Sequence, residues 1–119
     1  MNRELEMAKL ACRALDEKKG KDIKVIHIHE VSVIADYFVI ASASNQNQVQ
    51  AMVDNVDETL GRAGFEAKQI EGTRNSSWVL MDYGDMIVHV FDEENRLFYD
   101  LERIWRDGKV LDVNEFLEK

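Results

Sequence analysis

The chain has 119 residues and a mass of 13.8 kDa; 23 Asp and Glu against 15 Lys and Arg leave a formal charge of -8 and a pI near 4.8. That length fits one domain, 1–119, rather than two, and a content of 45% hydrophobic residues with two Trp, three Tyr and five Phe excludes intrinsic disorder. The acidity excludes a general nucleic-acid binder, whose affinity comes from Lys and Arg neutralising phosphates, and favours a basic partner.

Leu5, Ala8, Cys12 and Leu15 recur at offsets of three and four, which predicts a helix over 2–18 with one apolar face. Gly20 is placed to end it. Residues 24–29 and 36–43, rich in Val, Ile, Tyr and Phe, predict two strands, and the short loop containing Ser32 favours antiparallel pairing. Val49, Met52, Val53, Val56 and Leu60 then predict a long helix through Arg62, with Ser44 or Asn45 as N-cap and Gly64 at its C-terminal end. A strand at 65–70, a polar turn at 72–76, a strand at 77–82 and a continuous apolar strand at 86–91 follow, the last two joined by Tyr83-Gly84-Asp85. Leu97, Leu101, Ile104 and Trp105 mark the buried side of a third helix, and Val110, Leu111, Val113, Phe116 and Leu117 a segment that docks back on the domain.

The order α-β-β-α-β-β-β-α predicts an α/β fold with a mixed five-stranded sheet. A strand, helix, strand unit requires a parallel crossover, whereas short links favour antiparallel pairs. The unbroken run 86–91 implies cover on both faces of the sheet, a task for the three helices. No proline, repeat or low-complexity tract marks a second domain.

Cys12 is the single cysteine and cannot form an internal disulfide, so a reducing, cytoplasmic setting is expected. No apolar run approaches the roughly 20 residues of a membrane helix, and the acids in Met1-Asn2-Arg3-Glu4-Leu5-Glu6 lead us to expect no secretory or transit peptide.

The densest chemical signal runs from Trp78 to Trp105, where Trp78, Tyr83, Phe91, Phe98, Tyr99 and Trp105 gather. Between Asp82 and Asp107 eight acids face three bases, Arg96, Arg103 and Arg106. Aromatic anchors ringed by acids suit a docking surface for a basic protein, because Trp and Tyr supply hot-spot energy and complementary charge guides encounter. The plainer alternative is aromatics in the core and acids on a solvated face. On their strand, Trp78, Leu80 and Asp82 project from one side and Val79, Met81 and Tyr83 from the other.

Other chemistry is thinner. Asp82 and Asp85 flank the Tyr-Gly turn and could pair on a metal, but Asp is also the ordinary residue of turns. His27, His29 and His89 supply three zinc ligands by count, without any characteristic spacing. Ser32, Ser42 and Ser44 lack the context of a nucleophile elbow, six glycines form no phosphate loop, and Thr73-Arg74-Asn75 reads as a hairpin connection. No cofactor, metal or catalytic residue is expected.

The block Trp78-Val79-Leu80-Met81-Asp82-Tyr83-Gly84-Asp85-Met86-Ile87-Val88-His89-Val90-Phe91, followed by Arg96-Leu97-Phe98-Tyr99-Asp100-Leu101-Glu102-Arg103-Ile104-Trp105, resembles the signature of the ribosomal silencing factor, or Iojap-related, family. Asp36-Tyr37-Phe38-Val39-Ile40 with Ser42, Ser44, Asn45 and Gln48 is similar to its other recurrent block, in which Ala43 stands where a glycine is expected. The resemblance implies a nucleotidyltransferase-like fold without catalysis. It also implies a translation repressor that binds large-subunit ribosomal protein fourteen and blocks subunit joining when nutrients are scarce. It carries partner contacts onto Trp78, Leu80, Asp82, Tyr83, Asp85, Tyr99 and Asp100, while Leu97, Leu101 and Ile104 are left to packing. The alternative is a divergent metal-dependent nucleotidyltransferase, and an apolar patch of this kind can also pair two copies of the free chain into a homodimer.

Overall fold

The computed structural model describes residues 3–27, 37–72, 78–93 and 109–111. In chain order these form α1 (Arg3–Glu17), β1 (Lys21–His27), β2 (Tyr37–Ala43), α2 (Gln46–Arg62), β3 (Gln69–Glu71), β4 (Trp78–Asp82), β5 (Met86–Asp92) and β6 (Lys109–Leu111). The strands build one sheet in the order β3-β4-β5-β2-β1-β6. β2 and β5 pair in parallel and every other neighbouring pair is antiparallel, so the sheet is mixed, as predicted. All five predicted strands are present. The sixth comes from the segment expected to dock back: Lys109–Leu111 pairs with β1 at its edge.

β2 is buried along its whole length and β5 everywhere except Asp92, so the central pair needs apolar side chains on both faces. On one face Val25, Tyr37, Val39, Ala41, Ala43, Val79, Met81, Met86, Val88 and Val90 form a single cluster with the apolar stripes of both α1 and α2. The two described helices therefore share one face instead of dividing between the two. The opposite face carries a second buried cluster, Ile26, Phe38, Ile40, Ile87 and Phe91. The predicted third helix, with Leu97, Leu101, Ile104 and Trp105, lies outside the described residues. Among the described residues no helix is long and apolar enough to cross a membrane.

Both helices end in Schellman caps, and the details differ from the sequence reading. In α1 the left-handed position belongs to Lys19 (φ 63°), while the Gly20 N–H donates to the Leu15 carbonyl at 2.9 Å. Gly20 is needed for a different reason. A Cβ there would stand 2.9 Å from Met52 Cε and 3.0 Å from the Leu15 oxygen, because α2 crosses close by. In α2 Gly64 takes the left-handed position (φ 92°) as expected. The Phe65 N–H donates to the Leu60 carbonyl at 2.9 Å, which folds the buried Phe65 into the cap. This use of Phe65 is why the strand predicted from 65 begins only at Gln69.

Asn45 is the N-cap of α2, its side chain accepting from the Gln48 N–H at 2.8 Å. Gln48 then ties two helices together. Its Oε1 accepts from the Ser44 N–H at 2.6 Å, and its Nε2 donates to the Lys18 and Lys19 carbonyls, each at 3.0 Å. The carbonyls in the cap just past α1 thus find the donors that a helix end lacks. Farther along, Asn55 Nδ2 donates to the Ala14 carbonyl at 2.8 Å and to Glu17 Oε1 at 3.0 Å. Replacing Gln48 by Ala removes three bonds at one joint and should lower the unfolding free energy by about 1–2 kcal/mol. Gln50→Ala, which removes only the bond to Asp54, should cost less than about 0.5 kcal/mol. Urea unfolding of the two variants compares them, and equal effects would show that the joint contributes nothing.

Candidate functional site

The alternation along β4 separates core from surface. Val79 and Met81 are buried beneath the helices, whereas Trp78, Leu80 and Asp82 are half-buried on the opposite face. Register then fixes their neighbours. Trp78 lies opposite Phe91, Leu80 opposite His89 and Asp82 opposite Ile87; on the outer side Glu71 lies opposite Leu80 and Gln69 opposite Asp82. Burial falls across this face from Phe38 and Ile87, through the β4 row, to the exposed β3. The sheet brings together Trp78, Leu80 and Asp82, as strand parity predicted. It adds Gln69 and Glu71, which no sequence motif marked because only the strand pairing places them there.

Trp78 is held firmly. Its ring stacks on Phe91 with centroids 5.4 Å apart and planes 20° from parallel, and its Nε1–H donates to His89 Nδ1 at 3.1 Å. His89 in turn meets the edge of Phe38 at 4.7 Å. Because Nδ1 accepts, the proton of the neutral imidazole sits on Nε2, which is buried and has no hydrogen-bond partner among the described residues. A positive charge in this apolar setting is costly, and burial pulls the His89 pKa down to about 4. His27 does not join it. It stacks on Tyr37 at 4.7 Å on the helix-covered face, so these two histidines point to opposite sides of the sheet; His29 lies outside the described residues.

Tyr83 belongs elsewhere. Only 6% exposed, it packs in the helix-side core, so its side chain is not part of the β4 surface, a correction to its placement among the partner contacts. Burial, and after it the Asp57 carboxylate, push its phenol above the ordinary tyrosine value. Asp82 performs the work of a turn residue, its Oδ1 accepting from the Gly84 N–H at 2.7 Å. Asp85 is exposed on the same turn, and its carbonyl accepts from the Tyr37 N–H at 3.1 Å. Among the described residues no group of three His, Cys, Asp or Glu side chains is gathered to hold a metal. Cys12 is fully buried in α1, and its thiol is pushed up to about 12 by that burial. Ser42 is buried in β2 and Ala43 packs in the helix-side core, so the family block around them builds the fold at this point. Tyr99, Asp100 and the Thr73-Arg74-Asn75 turn lie outside the described residues.

What this arrangement can do is present a flat aromatic wall, an aliphatic side chain and carboxylates on a rigid sheet edge. A family model described as "Ribosomal silencing factor during starvation" matches residues 1–119. The chain is 35% identical over 108 residues to a ribosomal silencing factor of Halalkalibacterium halodurans, covering 91% of this chain and 92% of that one. The crystal structure of a Chromobacterium violaceum protein superposes with a TM-score of 0.84 at 33% identity, covering 93% of this chain and 92% of that one. A mouse protein named for mitochondrial assembly of the ribosomal large subunit is 30% identical over 94 residues, 76% of this chain and 41% of its own length.

The His89 environment predicts a pH dependence with a definite sign. In the unfolded chain the imidazole protonates near 6.5, in the fold only near 4. Its contribution to stability is therefore complete above pH 6.5 and is lost as the pH falls toward 4. The loss should reach roughly 3 kcal/mol. Urea unfolding at a series of pH values should show it, and His89→Gln, which keeps an acceptor for the indole, should flatten that part of the profile. An unchanged profile in the variant would mean that His89 does not titrate this way.

Proposed function

We propose, because this chain belongs to the ribosomal silencing factor family, that it represses translation in the cytoplasm by binding large-subunit ribosomal protein fourteen and sterically blocking small-subunit joining, particularly when nutrients are scarce. The observation that supports this best is the row Trp78, Leu80 and Asp82, half-buried on the sheet face with exposed Glu71 beside it. An aromatic anchored from below and rimmed by acids fits a basic protein surface. Asp85 extends the rim at the turn, and Tyr99 and Asp100 complete the proposed contacts.

A standard interface takes about 800 Å² from each partner. With one side so engaged, a body of 35 × 32 × 27 Å occupies the space that a docking subunit needs. No covalent step enters this mechanism. The nucleotidyltransferase-like resemblance is read as inherited architecture, since fold alone does not carry chemistry, and Asp82, one of the two carboxylates such a reaction would use, is committed to its turn.

Purified large and small subunits sedimented with the protein test the reading. It should travel with the large subunit and deplete joined ribosomes. Trp78→Ala should weaken large-subunit binding by about 2 kcal/mol or more, close to 30-fold, while still unfolding cooperatively. A wild-type protein that leaves large subunits unbound would overturn the proposal.

A further inference from the structure

We infer that the cavity bounded by Glu71, Gly72, Trp78 and Leu80 receives an arginine side chain of the docking partner, with the Glu71 carboxylate pairing the guanidinium and the Trp78 indole lying along it. The inference rests on the docking reading above and names the chemistry at one point of that surface. The cavity measures about 110 Å³. Sites for drug-sized or nucleotide-sized ligands run to roughly 300–1,000 Å³, so this one suits the end of a single long side chain.

Its walls specify which kind. Trp78 and Leu80 supply apolar surface, and Glu71 is the one charged residue among the described lining. Glu71 stands directly opposite Leu80 in the β3–β4 pairing, which puts its carboxylate on the same face as the indole. Gln69 Nε2 donates to Glu71 Oε1 at 2.7 Å, steadying that carboxylate with a neutral group. Gly72 (φ 110°) lets the chain leave β3 tightly against β4. A Cβ there would come 2.8 Å from the Trp78 carbonyl oxygen, so a larger residue would lift Glu71 off the mouth.

The indole is oriented to match. Its N–H is turned into the sheet toward His89, so what it offers the cavity is ring surface and no donor. A π face and a carboxylate are both acceptors of positive charge. A planar guanidinium satisfies both at once, stacking on the ring while donating to the carboxylate, whereas a neutral donor brings no charge to either and an anion is repelled by both. The formal charge of -8 favours the approach of such a partner.

Two measurements test this. In the first, the full chain labelled with nitrogen-15 is titrated with N-acetyl-arginine amide and with its neutral isostere N-acetyl-citrulline amide. The Trp78 indole and Gly72 amide signals should move at least fivefold more with the arginine compound, and Glu71→Gln should abolish the difference. Equal responses, or none, overturn the inference. In the second, Glu71→Lys should bind purified large subunits at least tenfold more weakly than wild type, with a shallower salt dependence, while Glu66→Lys, at another exposed acid, should bind within twofold of wild type. If wild type binds large subunits and Glu71→Lys binds them equally well, the inference falls and the docking reading stands. If wild type does not bind them, the docking reading falls, and the titration still decides what the cavity takes.

Discussion

The parallel pairing of β2 with β5 is the constraint on which this domain is built. Two adjacent strands running the same way cannot be joined by a tight turn, and here the connection takes in α2 and the whole β3–β4 hairpin before the chain returns as β5. That route places β4 against the outer side of β5. It also leaves both central strands buried on two faces, which their composition allows, with Ser42 and His89 the only buried polar side chains among the described residues. His89 is tolerated at that depth because it stays neutral and its Nδ1 accepts a hydrogen bond from Trp78. One polar atom of that buried imidazole, Nδ1, is thus satisfied by the first residue of the strand beside it.

The surface follows from this arrangement. With both described helices on one face, β4 has a covered side and a side that opens toward the edge, and its burial alternates accordingly. Trp78 sits at the boundary, stacked inward on Phe91 and lining the cavity outward. Such a residue gives docking energy at low entropic cost, because its rotamer is already fixed before a partner arrives. Placing the acids on β3 and on the β4–β5 turn keeps charge away from the buried clusters, where it would require a partner.

Much of the fold was legible because it depends on periodicity. The stripes Leu5 to Leu15 and Val49 to Leu60 defined two helices, Ser44 or Asn45 was read as the cap of the second and Asn45 is the one used, and parity alone put Trp78, Leu80 and Asp82 on one side and Tyr83 on the other. What failed depends on pairing between distant segments. The three residues Lys109–Leu111 are too few to show a period and become a strand only by meeting β1. The left-handed cap position of α1 fell on Lys19, and Gly20, expected there, stands one residue on, close to Met52 and the Leu15 carbonyl. Glu71 fell between the strand predicted to 70 and the turn from 72 and drew no reading of its own; only register sets it opposite Leu80, and register is not visible in a strand of three residues. Parity could have removed Tyr83 from the docking surface, since it shares the side of Val79 and Met81; the resemblance carried it over as part of a block without regard to which way each side chain points.

The geometry also decides which residues can report on binding separately from stability. Trp78 cannot do so cleanly, since its stacking on Phe91 and its bond to His89 join the proposed docking surface to the second buried cluster. Any change there releases an imidazole in an apolar site as well as removing a contact. Glu71 is decoupled from the core. It is exposed on an edge strand, where its carboxylate accepts from the neighbouring Gln69, and is far from the parallel pair that holds the sheet together. A surface that combines one anchored aromatic with a freely exchangeable charge can alter partner preference through the charge while the aromatic stays under selection from folding itself.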